Sequence, residues 1–425
     1  MRYLYFIDNS RDKRILVFFI LCIHTHFSIS RRMISVADKH FNLNRNLLLL
    51  IGLWPYKNSK FARFHLFCCY SAIASIIIFQ FTAFLTSKCT TDHIIKICSL
   101  LFGYISVAIQ YNSFYINSNT IKFLMEYLQL IYSDLKDNNE IAIFEKYGNI
   151  SKRYTIAFIT CLLCSLFILI NAQLWPDFID IIFSVNESQP RRLSIAMEYF
   201  IDQEKYYYLM LIHFNASTCI GFFTLVATGS MLFAYLQHAC GMFKIASYRI
   251  KNAIEIYIQS INLKNKNLVY KSLIYGIHLH RKAIMFSEYL ISNFEMSFMF
   301  LIAFGVLTLS LNTFRLFQLL SFKFNIGEFS VACVATYSCF VYMFLANFIG
   351  QEIINHYNLI FITAYDVQWY ITPLYIQKFI LFLLLRGNKS FGLNVGGLFV
   401  SSLQCFATLV NASLSYFVLM YSMGN

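Results

Sequence analysis

Residues 398–425 read "LFVSSLQCFATLVNASLSYFVLMYSMGN" and carry no charged side chain. Such a run suits a helix that crosses a bilayer, since about 20 residues at about 1.5 Å each span a hydrocarbon core of roughly 30 Å. Yet Ser401, Gln404, Thr408, Asn411 and Ser415 recur at spacings of three and four, and Ser422 follows one heptad on. Those spacings put side chains on one helix face, so a polar stripe runs down an otherwise apolar rod.

Six more uncharged windows precede it, at 64–87, 97–121, 154–176, 206–243, 296–314 and 329–351. The composition agrees: 58% of residues are hydrophobic and 13% charged. A Lys or Arg at the bilayer centre costs about 2.5–3.5 kcal/mol, so gaps in charge mark membrane spans. The sequence therefore predicts an all-α membrane protein with seven transmembrane helices, at about 64–86, 94–116, 154–176, 207–232, 293–314, 329–350 and 396–421. Alternate connecting segments hold 27 and 7 of the Lys and Arg residues. The positive-inside rule then sets the N-terminus in the cytoplasm and the C-terminus outside the cell. The net charge of +13 is thus a topology signal, and lipid rather than nucleic acid is the partner it implies.

Residues 1–32 form an uncertain N-terminal extension: "RILVFFILCIHTHFSIS" resembles a signal-peptide core, and Met33 is an alternative start. Without its basic residues the charge asymmetry is 21 to 7, so the orientation stands. No linker or repeat divides residues 33–425, which read as one seven-span domain. "LLLLIGLWPYK" (47–57) reads as a short interfacial helix stopped by Pro55. The charge-balanced segment 117–153 reads as helical continuations of spans 2 and 3. The basic segment 244–292 and the broken apolar segment 352–389 read as packed helices of a cytoplasmic anchor. "NES" at 186–188 lies in the acidic outside loop 177–205, making Asn186 a glycosylation acceptor.

Of the twelve cysteines most fall in spans, and "HLH" (278–280) lacks companion ligands, so no disulfide, metal or cofactor is expected. No nucleophile–base pair or phosphate loop appears, which argues against an enzyme. None of the seven windows holds a central Asp, Glu, Lys or Arg, and no proline lies inside a span, Pro176 standing at the very end of the third, unlike a coupled transporter.

The stripe of span 7 has two readings. Its polar groups either hydrogen-bond to neighbouring helices, or they line a water-filled path. In the second reading Leu419 and Met423 continue the face as apolar rings, the arrangement of a dewetting gate, and Ser422 offers a hydroxyl to a passing cation. A second set lies in the outer halves of spans 2, 3, 4 and 6: Ser99, Phe102 and Gly103; Ile168, Asn171 and Trp175; Met210, His213, Phe214 and Ser217; and Thr336, Tyr337 and Phe340. Aromatic walls with few polar anchors describe a small-molecule pocket, and equally a helix interface.

Several blocks carry a resemblance. "SVNESQPRRLSIAMEYFIDQEKYYYLMLIH" (184–213), "QHACGMFKIASYRI" (237–250), "FNLNRNLLLLIGLWP" (41–55), "GQEII…AYDVQWY" (350–370) and "SLQCFATLVNASLSYFVLM" (402–420) are similar to segments of insect odorant receptors, in the order that family has them. The hymenopteran branch is the one they resemble most. The resemblance implies an odorant-gated, non-selective cation channel subunit that binds a volatile and assembles as a heterotetramer with a shared coreceptor. It would sit in the plasma membrane of olfactory dendrites. It implies that span 7 lines the pore, with the gate at Leu419 and Met423 and a filter position at Ser422; Met423 departs from the aliphatic residue often found there. A gustatory receptor of the same superfamily and, further off, a G-protein-coupled receptor are the alternatives.

Overall fold

The computed structural model describes residues 39–57, 59–86, 90–183, 197–259, 266–321 and 325–424. Extension 1–32 and Asn186 lie outside the described residues. Among the described residues ten α-helices and one small hairpin follow in order. They are α1 (Asn42–Leu50), α2 (Lys60–Thr86), α3 (Thr91–Ile116), α4 (Ser118–Asp134), α5 (Asn138–Phe183), α6 (Tyr207–Gln259), α7 (Lys266–Ser321), α8 (Ile326–Asp366) and α9 (Leu374–Gly387). The antiparallel pair β1 (Asn394–Val395) and β2 (Phe399–Val400) then leads into α10 (Leu403–Gly424). Among the described residues seven helices are long and apolar enough to cross a membrane: α2, α3, α5, α6, α7, α8 and α10. In hydrocarbon every backbone N–H and C=O needs an internal partner, so uncharged runs fold as helices.

Four of these helices far exceed one crossing. α5, α6, α7 and α8 hold 46, 53, 56 and 41 residues, hence roughly 60–85 Å at about 1.5 Å per residue. Their surplus turns carry ten Lys and Arg residues and bundle with α1, α4 and α9 into a second helical layer continuous with the spans. The largest core lies in and beside this layer, where Tyr235, Phe243, Phe286, Phe294 and Tyr357 are almost wholly buried. α6 is its axis: Ala234, Ala239, Cys240, Ala246 and Ile250 have no exposed surface, and small side chains let neighbouring helices approach closely. Arg249 of α6 grips Glu140 of α5 with two parallel bonds of 2.6 and 2.7 Å, the geometry in which a guanidinium binds a carboxylate best.

The first helix differs from its expected position. α1 begins at Asn42 and stops at Leu50, well short of Pro55. Gly52 takes φ +75, and the bonds Gly52 N–H to Leu49 O (3.2 Å) and Leu53 N–H to Leu48 O (2.9 Å) close the helix behind it. That is the glycine stop of a Schellman motif, which acts before the proline can. Nor does α1 merely lie at an interface. Asn44 donates to Ser230 Oγ at 2.9 Å, and Phe41, Leu47 and Leu48 are buried against α5 and α6. Span 7 also starts later than position 396, because Gly396 and Gly397 (φ +64 and +71) turn the chain into the hairpin. Arg315, which lies just past the expected end of the fifth span at 314, is inside α7, which continues to Ser321.

Candidate functional site

α10 is the least embedded span: 11% of its apolar stretch is buried within the subunit, against 56% in α6. One face packs inward through Leu409 and Ser413, with Val306, Leu309 and Met343 opposite. Ser413 Oγ reaches the carbonyls of Leu409 and Val306 at 2.9 and 3.5 Å. The polar stripe faces the other way. Gln404, Thr408, Asn411, Ser415, Leu419 and Ser422 are all exposed on the outside of the subunit. Thr408, Ser415 and Ser422 satisfy their hydroxyls on carbonyls of their own helix, Gln404, Asn411 and Leu419 respectively, at 2.8 to 3.0 Å. No neighbouring helix of the same subunit is needed to stabilise them. The side chain of Met423 is outside the described set.

The start of α10 is held from α8. Ser401 Oγ donates to Ala346 O at 2.8 Å, while Asn347 and Gln351 offer side-chain oxygens to the N–H groups of Ser402 and Leu403 at 3.3 and 3.4 Å. The first N–H groups of any helix lack intrahelical partners, so α8 supplies a cap from outside the helix. Gly350 permits this approach, since a Cβ there would overlap both the side chain and the carbonyl of Ser401.

Beside this junction lies a cavity of about 490 Å³ between α5, α6, α7, α8 and α10. Phe158, Leu162, Val226, Phe298, Val341 and Leu409 give it apolar walls; Ser165, Tyr337, Tyr342 and Asn347 are among its polar groups. That size and lining suit a small apolar molecule with one hydrogen-bonding group. Gly229 opens the α6 wall, where an added Cβ would meet the Tyr342 ring at 3.3 Å.

Of the outer-half residues singled out from sequence, Tyr337 lines this cavity, with its hydroxyl 3.8 Å from Cys161 Sγ. Met210, Phe214 and Ser217 are buried; Phe214 belongs to an outer cluster with Ile76, Leu100, Tyr104, Leu169, Val331 and Val334. His213 bonds to Ser75 Oγ and Tyr199 OH, both at 2.9 Å, and stands edge-on to Phe79. Ser99 is buried in a charged cluster with Lys96 and Arg315. Phe102 packs on Phe304, and Gly103 faces open space. Ile168 and Asn171 lie on the outer surface, where the Asn171 amide bonds to Phe167 O. Thr336 bonds to Ala332 O at 2.8 Å, and Phe340 packs on Phe406 of α10. The side chain of Trp175 is not described. The sequence reading missed Phe158, Gly229, Tyr342 and Asn347; only the small-residue break "TGS" (228–230) in α6 hinted at an opening.

Seven apolar helices, a seventh that turns its polar face outward, and an apolar cavity at its root define a multi-pass membrane receptor. The chain belongs to the odorant receptor family: the profile of the 7tm Odorant receptor family matches residues 90–414. Its fold is that of the insect olfactory receptor OR5 from Machilis hrabei in complex with eugenol, with a TM-score of 0.71 at 14% identity over 92% of this chain and 99% of that one. The same receptor in a structure whose description names no ligand gives 0.69 at 14% identity, over 91% and 98%. None of the curated proteins matches this chain in sequence. It is an odorant receptor, not the gustatory or G-protein-coupled alternative, and resides in a membrane that it crosses several times.

Proposed function

We propose that this receptor is a ligand-gated, non-selective cation channel subunit that assembles with a coreceptor into a heterotetramer around α10. The observation that carries the proposal is the outward polar stripe. Gln404, Thr408, Asn411, Ser415 and Ser422 are exposed on the subunit surface, only Ser401 at the head of the stripe bonding to α8, and amides facing lipid would be costly. A central aqueous lumen shared among subunits resolves that cost. Leu419 and Met423 then form the apolar constriction and Ser422 the hydroxyl ring beside it. The Lys and Arg asymmetry supports a cytoplasmic N-terminus and second helical layer, with Asn186 outside as a glycosylation site.

A small volatile occupies the cavity at Tyr337, and the outer-half set from Ser99 to Phe340 forms its surroundings. Burying about 200 Å² of apolar ligand yields on the order of 5 kcal/mol at about 25 cal/mol/Å². A switch from 1:99 to 99:1 needs about 5.5 kcal/mol of differential affinity. Part of the binding also occurs in the closed state, so opening is partial and sensitivity lies in the micromolar range. Like eugenol in the Machilis receptor, the ligand class is a compact molecule of mixed apolar and hydrogen-bonding character.

Co-expression with a coreceptor and recording against a panel of volatiles tests this. Leu419→Ala and Met423→Ala should raise the odorant-free leak or alter cation selectivity. Currents identical to wild type in both variants would remove these residues from the pore.

A further inference from the structure

Away from the second helical layer, at the opposite end of the bundle, charged and polar groups join α3, α7 and α8. Lys96 of α3 pairs with Glu328 of α8. The other Glu328 oxygen accepts from Arg315 of α7 at 3.3 Å, and Arg315 also donates to Ser99 Oγ at 3.3 Å. Asn312, three residues before Arg315, donates to the Ser99 carbonyl at 3.2 Å; Gln318, three residues after it, donates to Asp92 Oδ1 at 2.8 Å. Asn325 caps α8 by accepting from the N–H groups of Gly327 and Glu328, which fixes Glu328 in the first turn. The Arg315 side chain is only 5% exposed, so its charge is held by these partners rather than by water.

A second face of the same three turns meets α10. Phe314 and Phe317 lie 6.3 and 6.1 Å from Phe417, and Phe317 stands edge-on to Tyr421 at 5.2 Å. At about 100° per residue, this face lies roughly 130° round the helix from the Asn312, Arg315 and Gln318 row. Phe417 and Tyr421 bracket Leu419 in sequence.

We propose that residues 312–321 of α7 are the mechanical link between α3 and α8 and the gating end of α10, with Arg315 as the positioning residue. The link rests on the channel reading only for its consequence, which is gating. A buried guanidinium separated from Glu328 would be left uncompensated, so α7 follows any displacement of α8 against α3. A helix moves its faces together, and Phe314 and Phe317 carry that displacement to Phe417 and Tyr421.

Disulfide trapping reads the link without a ligand. Phe317→Cys with Tyr421→Cys reports the outer contact; Val306→Cys with Leu409→Cys, from the lower α7–α10 contact, is the control. Oxidation by copper phenanthroline is followed in intact membranes by mass spectrometry of the cross-linked peptides. Glu328→Gln should slow the 317–421 cross-link at least fivefold and leave 306–409 within twofold, while Glu328→Asp stays within twofold of wild type. Should Glu328→Gln fail to fold, Arg315→Met with Glu328→Gln removes the deeply buried charge, leaving only the part-exposed Lys96 without its carboxylate, and should slow the outer cross-link equally. An unchanged 317–421 rate in the double variant, or equal slowing of both pairs, overturns the proposal. Because no current is measured, a subunit that cross-links as expected but never conducts would sink the channel reading alone.

Discussion

Gly350→Ala is the substitution with the most calculable consequence. At Gly350 the hydrogen of α8 faces Ser401, and a methyl there would overlap the Ser401 Oγ, Cβ and carbonyl oxygen. A rotamer change can move Oγ aside, but the carbonyl is main chain, so the hairpin exit and the start of α10 must shift. Three contacts then loosen: Ser401 to Ala346 O, and the two caps that Asn347 and Gln351 provide. At about 0.5–1.5 kcal/mol per hydrogen bond, with overpacking itself worth about 1–3 kcal/mol, a net loss of about 2–4 kcal/mol follows because the terms overlap. Melting followed by tryptophan fluorescence or size-exclusion in detergent should fall by about 4–8 °C, at roughly 2 °C per kcal/mol for a large domain. Ser401→Gly in the same chain should not restore it, since the clashing carbonyl remains. A Gly350→Ala protein that melts within about 1 °C of wild type, or one fully rescued by Ser401→Gly, refutes the reasoning.

Other expectations concern separate parts of the molecule. Gly229→Leu intrudes on the cavity beside Tyr342; with surface abundance unchanged, it should raise the half-maximal concentration of bulky volatiles at least tenfold more than that of small ones. His40 is pushed down from 6.5 to about 4, first because burial disfavours its cation and then because Lys152 and Lys39 repel it. A released N-terminal segment titrates near 6.5, so docking of α1 keeps full strength above that pH. It weakens as pH falls toward 4, by about 1.4 kcal/mol per unit. Hydrogen exchange at residues 42–51, corrected for intrinsic rates, should accelerate below pH 6, and His40→Phe should flatten the response. The Lys39–Glu145 pair at the surface is a contrasting case: Lys39→Ala should change stability by less than about 1 kcal/mol, measured by the same melting assay.

The spans were legible because charge is expensive in lipid, and each uncharged window contains one crossing helix. Their true lengths were not. α5 to α8 run on into charged sequence, where Gly148 and Pro176 in α5 and Gly276 in α7 do not end them, and a charge that ends a window does not end a helix. Arg315 was misplaced for that reason: it closes an uncharged window, yet α7 continues to Ser321 and buries it. Residues 396–402 were misread in the opposite direction, since "GGLFVSS" is uncharged but its glycines turn the chain. The stripe of α10 was readable from its period alone. The cavity was not, because five helices each contribute a few residues and its opening at Gly229 is the absence of a side chain. Tyr337, singled out as an aromatic on span 6, lines the cavity, whereas Ser99 bonds to Arg315.

The outward stripe of α10 has a consequence for biosynthesis. A newly inserted chain without companions turns Gln404, Thr408 and Asn411 toward acyl chains, and folding by itself offers them no alternative. Such an orphan carries its own mark of incompleteness, legible to any surveillance that retains membrane segments with unmet polar groups. In the proposed assembly, delivery to the cell surface is limited by the supply of companions, and the residues proposed to line the pore double as the signal that assembly has finished.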